Sequence, residues 1–232
     1  MKNILVTGGA GYFGEILCRK LIQENYKVRC FDLNRCPVMG VESVIGDIRQ
    51  YSVIENACSG IDIVYHNVAQ VPLAKNKKLF DSVNKLGISN LLKACIKNQV
   101  NKVVYTSSSA VFGIPKDTPI GPDTLPKPNE AYGEAKLEGE KICLKAKKDG
   151  IMISIIRPRT ILGHGRLGIM QILFEWVEQG KPIPVFDGGQ NIYQFVHAED
   201  LAVACIAAGE AKSSGIYNIG SAKFGKMRQL LE

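Results

Sequence analysis

Tyr132 and Lys136 stand four residues apart in a stretch of helical period, so a helix would carry both on one face. A phenol with an ordinary pKa of about 10 is a poor base at neutral pH, but a neighbouring ammonium favours its anion. The pair could then take a proton from a substrate hydroxyl. Tyr-x-x-x-Lys is common on ordinary amphipathic helices, so its meaning depends on what accompanies it. Upstream, the apolar run Lys102 to Thr106 leads into Ser107-Ser108-Ser109. Hydroxyls at the carboxyl end of a parallel strand stand where open α/β sheets place their ligands, and a serine there can hydrogen-bond a reacting oxygen. The competing reading of the serines is ordinary turn chemistry at a strand end.

A second constellation begins at the N-terminus, where the apolar run Ile4-Leu5-Val6 precedes Thr7 to Gly14, with glycines at 8, 9, 11 and 14. Gly9, Gly11 and Gly14 satisfy the G-x-G-x-x-G spacing; Gly8, Gly11 and Gly14 give the closely related pattern. Glycine permits the tight turn, lets the backbone approach a pyrophosphate, and lets the following helix pack closely, while amides at the helix N-terminus meet the negative charge. Asp32 closes the next strand, where a carboxylate can hold the adenosine ribose hydroxyls. Strand, loop, helix, strand and acid together specify a dinucleotide site. Asp32 argues for NAD, because its charge would repel a 2′-phosphate; Arg35 leaves NADP as the alternative.

The elements that must hold these residues follow a regular alternation. Short β-branched runs (Lys2 to Thr7, Lys27 to Asp32, Ser43 to Gly46, Ile61 to His66, Lys102 to Ser107, Met152 to Arg157) alternate with helical periods (Gly11 to Asn25, Lys77 to Gln99, Asn129 to Lys148). This rhythm predicts an α/β fold, a doubly wound parallel sheet of Rossmann type, with Phe13, Ile16, Leu17 and Leu21 turned to the sheet. Asn129 is the expected N-cap of the helix carrying Tyr132. Beyond Arg157 glycines and prolines break the pattern around one helix, Ile169 to Gln179. Residues 1–157 are therefore read as the cofactor-binding domain with the catalytic residues. Residues 158–232 are read as remaining Rossmann elements plus a small, partial substrate-facing lobe.

Composition restricts the function classes. The chain has 232 residues, 46% hydrophobic and 22% charged, as expected of a globular protein. No apolar run reaches the about 18 residues that would span a bilayer, and nothing at the start reads as a signal peptide, so a cytoplasmic location is expected. The net charge of +7 comes from dispersed lysines; Lys75 to Lys78 and Lys141 to Lys148 lack interleaved aromatics, so no nucleic-acid partner is expected. Seven cysteines without a C-x-x-C pair read as reduced core residues. His66, His164 and His197 lack paired spacing, so no metal site is expected. A hydrolase triad of Ser108, His197 and Asp200 lacks the G-x-S-x-G elbow, since Thr106 and Ala110 occupy the glycine positions.

With these motifs in order, the sequence resembles the extended short-chain dehydrogenase/reductase family, and within it the NAD-dependent nucleotide-sugar epimerases and dehydratases. The resemblance runs from Asn3 to about Gly220. It is carried by T-G-G-A-G-Y-F-G from Thr7, Gly46-Asp47-Ile48, H-N-V-A from His66, V-N-K-L-G-I-S-N-L-L from Val83, S-S-S-A-V-F-G from Ser107 and Y-G-E-A-K from Tyr132. Arg157-Pro158, Gly163 to Gly165, F-V-H-A-E-D-L-A from Phe195 and Y-N-I-G from Tyr217 complete it. The resemblance implies Tyr132 as catalytic acid/base, Lys136 as its partner and a ligand of the nicotinamide ribose, and Ser108 in the family's Ser/Thr position, touching substrate. It also implies the amides of Tyr12 and Phe13 on the pyrophosphate, Asp47 and Ile48 beside the adenine, Ala69 along the cofactor, Pro158 near the nicotinamide, and Asn84 supporting the site.

Departures from the family pattern shape the expected reaction. Ser109 and Ala110 replace the Asp-Glu pair that dehydratases carry after the Ser/Thr, which disfavours elimination of water. Asn67-Val68-Ala69-Gln70 replaces the commoner His-x-Ala-Ala turn, and Thr160 stands where many epimerases carry an asparagine that contacts the nucleotide. Arg157, Arg159 and Arg166 lie in the substrate-facing part, where guanidinium forks suit a diphosphate, although surface ion pairs would equally explain Arg159 and Arg166. Thr160 and Arg166 are the expected substrate contacts beside Ser108. Family members continue past the Y-N-I-G strand, so a truncated chain or a reduced substrate lobe is expected. The leading expectation is an NAD-dependent nucleotide-sugar epimerase. The alternatives are a ketoreductase or dehydrogenase that consumes its cofactor and, from another class, a cofactor-sensing protein without turnover. The resemblance also implies a homodimer built on helices Lys77 to Gln99 and Asn129 to Lys148.

Overall fold

The computed structural model describes residues 1–69, 82–115, 118–165 and 169–231, with the backbone alone at Ile169, Met170, Phe186 and Leu230. Its centre is a seven-stranded sheet. The strands are β1 (Asn3–Thr7), β2 (Lys27–Asp32), β3 (Glu42–Ile45), β4 (Ile63–His66), β5 (Lys102–Thr106), β6 (Met152–Pro158) and β10 (Gly215–Ile219). The order is β10-β6-β5-β4-β1-β2-β3, and every pair is parallel. Chain direction across the sheet reverses between β1 and β4, the switch point where the carboxyl ends of the strands leave a crevice.

Parallel strands are covered on both faces, which explains why β4 and β5 are buried at every residue. One face packs against α2 (Tyr51–Ala57), α3 (Gly87–Lys97) and α4 (Ala131–Ala146), around Leu5, Ile54, Val64, Ile88, Leu91, Val103 and Ile153. The other packs against α1 (Tyr12–Gln23) and α6 (Ala198–Glu210), around Ile4, Val6, Leu17, Leu21, Val104, Ile156 and Leu201. All seven cysteines are buried free thiols.

The part after Pro158 contributes β10 and α6 to this unit. It also forms two small sheets: β7 (Thr160–Leu162) with β9 (Phe195–His197), and β8 (Ile192–Tyr193) with β11 (Gly225–Lys226). Helix α5 (Ile169–Glu178) exposes Ile172, Phe174 and Val177, and a short α7 (Met227–Leu231) follows β11. A five-residue π-helical turn, Ser82–Leu86, precedes α3, so the expected helix from Lys77 is described only from Ser82 onward. No described helix is long and apolar enough to cross a membrane.

Asn129 is not the N-cap of α4. Glu130 holds that position, in extended conformation and without a side-chain capping bond. Helix α6 escapes periodicity because it is rich in alanine. Its start is capped instead by His197, whose Nδ1 accepts from the Glu199 amide at 3.3 Å.

At the switch point His66 ties β4 to β1. Its Nδ1 lies 2.6 Å from the Thr7 hydroxyl, and its ring stacks on Tyr105 with centroids 5.7 Å apart. Burial, aided by the charge of Lys136, pushes its pKa down to about 3. Below the ordinary value of 6.5 the unfolded chain takes up a proton that folded His66 refuses, so stability is lost as pH falls from 6.5 towards about 3. His66→Gln is expected to flatten this slope, measured as the urea unfolding free energy across that interval. An unchanged slope would place the acid sensitivity elsewhere.

Candidate functional site

The loop after β1 is held by close contacts that only glycine permits. A Cβ on Gly14 would run into the Gly8 carbonyl, and a Cβ on Gly8, where φ is +74°, would meet the Val68 amide nitrogen at 2.9 Å. Helix α1 therefore begins directly over β1. Its N-cap, Gly11, brings no side-chain cap, which leaves the first-turn amides to meet an anion. Asp32 accepts from the amides of Ala10 and Asn34, each at 3.1 Å, and so fixes the loop while lining the crevice.

Two adjoining clefts share this loop. One, of about 420 Å³, is lined by Asp32, Asp47, Ile48, Ala69 and Val83. The other, of about 630 Å³, runs from Gly11, Tyr12 and Phe13 past Asn67 and Ala69 to Ser107, Ser108, Tyr132, Lys136, Pro158 and Thr160. Gly8, Gly11, Asn67 and Ala69 belong to both, so the clefts form one elongated groove across the switch point. Asp47 grips Arg49, whose side chain holds its carboxyl below the usual range. Asn84 sits in the Ser82–Leu86 turn and lines neither cleft; its neighbour Val83 does. Arg166 lies outside the described residues.

The catalytic candidates converge from two elements, α4 and the turn that follows β5. Lys136 is buried on α4, and its Nζ donates to the Thr106 carbonyl at 2.7 Å, with two protons left to give. Burial lowers its pKa to about 8, and its Nζ stands 5.8 Å from the centre of the Tyr132 ring. Ser108 accepts from the Ala110 amide at 3.1 Å, which aims the serine while its own proton stays available to an oxygen in the cleft. Gly133 lets α4 approach: a Cβ there would collide with the Ala110 carbonyl, just past Ser108.

Behind them lies a buried polar tie. Ser107 donates to Glu140 at 2.6 Å, and Arg157 grips the same carboxylate with two bonds, at 2.9 and 2.6 Å. The Arg157 guanidinium also stands 5.0 Å from the centre of the Phe112 ring. Arg157 is thus committed inside the protein rather than to a diphosphate. Nothing local in the sequence marks Glu140, although it continues the Tyr132, Lys136 spacing by four more residues.

In the sequence Asn67 stands out only as a departure from the family pattern. Its Oδ1 accepts from the Thr106 hydroxyl at 2.6 Å, while its buried Nδ2 finds no partner among the described residues. An unsatisfied buried donor is costly, and this one sits in the groove shared by both clefts. The glycine cradle and this donor fit a dinucleotide rich in acceptor oxygens. Among the described residues no group of three or more His, Cys, Asp or Glu could hold a metal ion.

The model of the NAD dependent epimerase/dehydratase family matches residues 4–220. The chain belongs to this family. The protein y4nG of Sinorhizobium fredii is 53% identical over the whole of this chain. The 2-alkyl-3-oxoalkanoate reductase of Stenotrophomonas maltophilia is 30% identical over 96% of the chain and 69% of its own length. The decarboxylating sterol-4-alpha-carboxylate 3-dehydrogenase of Homo sapiens is 30% identical over 91% of the chain. The chain spans 59% of the length of y4nG and 58% of that of the sterol enzyme. Among solved structures, MoeE5 in complex with UDP-glucose and NAD superposes with a TM-score of 0.88 at 25% identity, over 98% of this chain and 79% of that one. The UDP-glucose 4-epimerase of Thermus thermophilus, bound to NAD, gives 0.84 at 27% identity, over 99% and 81%. The cofactor of the family and of these complexes is NAD.

Asn67→Leu removes the donor but keeps the bulk, and should weaken NAD binding about tenfold by calorimetry. Unchanged affinity would mean that Asn67 does not meet the cofactor. Tyr132→Phe should leave that affinity nearly intact while cutting turnover by about 10²–10⁴-fold, with a milder loss for Ser108→Ala; near-normal turnover in the phenylalanine variant would remove Tyr132 from the chemistry.

Proposed function

We propose that this chain transfers a hydride reversibly between NAD and a secondary alcohol or its ketone, in the manner of a nucleotide-sugar epimerase. The observation that carries the reading is the single groove in which the glycine cradle of β1 and the Ser108, Tyr132 and Lys136 side chains meet. Bound NAD would supply the hydride acceptor. The amides after Gly11 and the Asn67 amide would hold it, with Asp32 on the adenosine side and Lys136 on the ribose next to the nicotinamide.

Ser108 then orients the reacting oxygen, and the Tyr132 phenolate takes its proton, becoming the phenol, as the carbon gives up hydride. The Lys136 ammonium favours the phenolate throughout. In an epimerase the same Tyr132 returns the proton after the ketone has been reduced from its other face, and the cofactor ends as it began. Ser109 and Ala110 beside Ser108 supply no acid/base pair for elimination of water. MoeE5 and the Thermus enzyme, the neighbours named with UDP-glucose, support the sugar reading.

A second reading is favoured by two relatives at 30% identity, whose names are those of a reductase and a dehydrogenase. Both names also specify acids, an oxoalkanoate and a sterol carboxylate. In that case the cofactor is consumed. Further, we propose a homodimer built on α3, with the turn before it, and α4, where Leu86, Ile96 and Leu144 are exposed; a purely monomeric light-scattering profile would contradict it.

Incubating the protein with UDP-glucose and a trace of NAD separates the two reactions. Epimer accumulating beyond the amount of NAD, followed by anion-exchange chromatography, is the expected result. NADH formed in step with product would assign a net dehydrogenase, and neither activity should survive in Tyr132→Phe.

A further inference from the structure

Arg159 follows β6 directly, and its amide donates to the Ile219 carbonyl at 2.8 Å, so the backbone is pinned between β6 and β10. The residue lines the larger cleft together with Ser108, Tyr132 and Thr160. Its Nε is buried, and among the described residues it has no hydrogen-bond partner and its guanidinium forms no ion pair. Arg157, two residues earlier, shows the contrast: its charge is met by Glu140. A guanidinium cannot shed its proton in a protein, so in this half-buried side chain the enclosed Nε leaves a charged donor unmet, a cost that a bound oxyanion would relieve.

The sheet order tells which oxyanion. The phosphate loop follows β1, three places along the sheet from β6. At about 4.8 Å per strand that is about 14 Å from the Arg159 backbone, whereas Ser108 follows β5, the next strand over. The charge therefore belongs beside the reacting carbon rather than at the cofactor's pyrophosphate. Thr160 and Tyr193, hydroxyls 3.2 Å apart on the same wall, offer further donors.

We infer that Arg159 receives a carboxylate of the substrate, so that the alcohol oxidised in this cleft is one carried near a carboxylate, as in a uronic acid or a 3-hydroxy acid. This rests on the hydride-transfer reading and narrows its substrate. A planar guanidinium matches a carboxylate with two parallel hydrogen bonds, and such charge-assisted pairs are worth far more in a cleft than on the surface. The assignment makes Arg159 a specificity-determining residue and leaves the proton chemistry to Tyr132.

The test is calorimetric binding to the NAD-loaded protein of two matched pairs: UDP-glucuronate against UDP-glucose, and 3-hydroxybutyrate against its amide. In at least one pair the acid is expected to bind about tenfold more tightly. Arg159→Gln should erase that preference, Arg159→Lys should recover part of it, and neither should change the affinity for NAD. Equal binding of acid and neutral members, a preference that survives in Arg159→Gln, or no binding of either acid would overturn the inference. So would an equal loss for both UDP-sugars, which would assign Arg159 to the diphosphate, or a loss of NAD affinity, which would assign it to the cofactor. Tyr132-dependent NADH formation from neutral alcohols alongside such results would leave the hydride-transfer reading standing and remove only the carboxylate.

Discussion

The buried pair of Glu140 and Arg157 is the interaction on which the site's geometry depends. It joins the last turns of α4 to the end of β6 and, through Ser107, to the end of β5. Ser108, Lys136 and Pro158 sit within a few residues of these three anchors, and Tyr132 lies about two turns before Glu140 on the same helix. Removing one partner of such a pair typically costs about 3–5 kcal/mol, because the other charge is left stranded. Exchanging both for apolar residues can be nearly neutral for stability, which suggests that the pair is valued here for fixing directions.

The remaining constraints point the same way. The strand order reverses between β1 and β4; at that seam Thr7 meets His66, and one strand over, at the end of β5, Thr106 meets Asn67 and Lys136 meets the Thr106 carbonyl. Each of these polar contacts joins residues far apart in sequence and close together at the carboxyl ends of the strands. The site is thus assembled from short, rigid pieces. The glycines at 14 and 133 let the two helices that carry its parts come near enough.

Much of this was legible in the sequence because it is local. The glycine loop, Asp32 and the Tyr132, Lys136 pair declare themselves by spacing within one or two elements, and the strand-helix alternation gave the parallel sheet. What was not legible is pairwise and distant. Nothing in the run Tyr132 to Glu140 announces that Glu140 meets Arg157, and the open donor of Asn67 emerges only when Thr106 takes its oxygen. Asn129 has the right chemistry for a cap, yet the chain remains extended through Glu130 and the helix begins one residue later. Helix α2, with seven residues, is too short to show a period, and α6 is too rich in alanine to show a face.

The division of labour along the chain has an evolutionary consequence. On the proposed reading, cofactor and proton chemistry would depend on residues seated at strand ends and on α4, where displacement is penalised by the core. Thr160 and Tyr193, by contrast, belong to small two-stranded sheets at the rim. Drift at the rim can therefore retune which molecule is admitted without dismantling the reaction, so lineages descending from such a scaffold can diverge in diet while keeping one catalytic gesture.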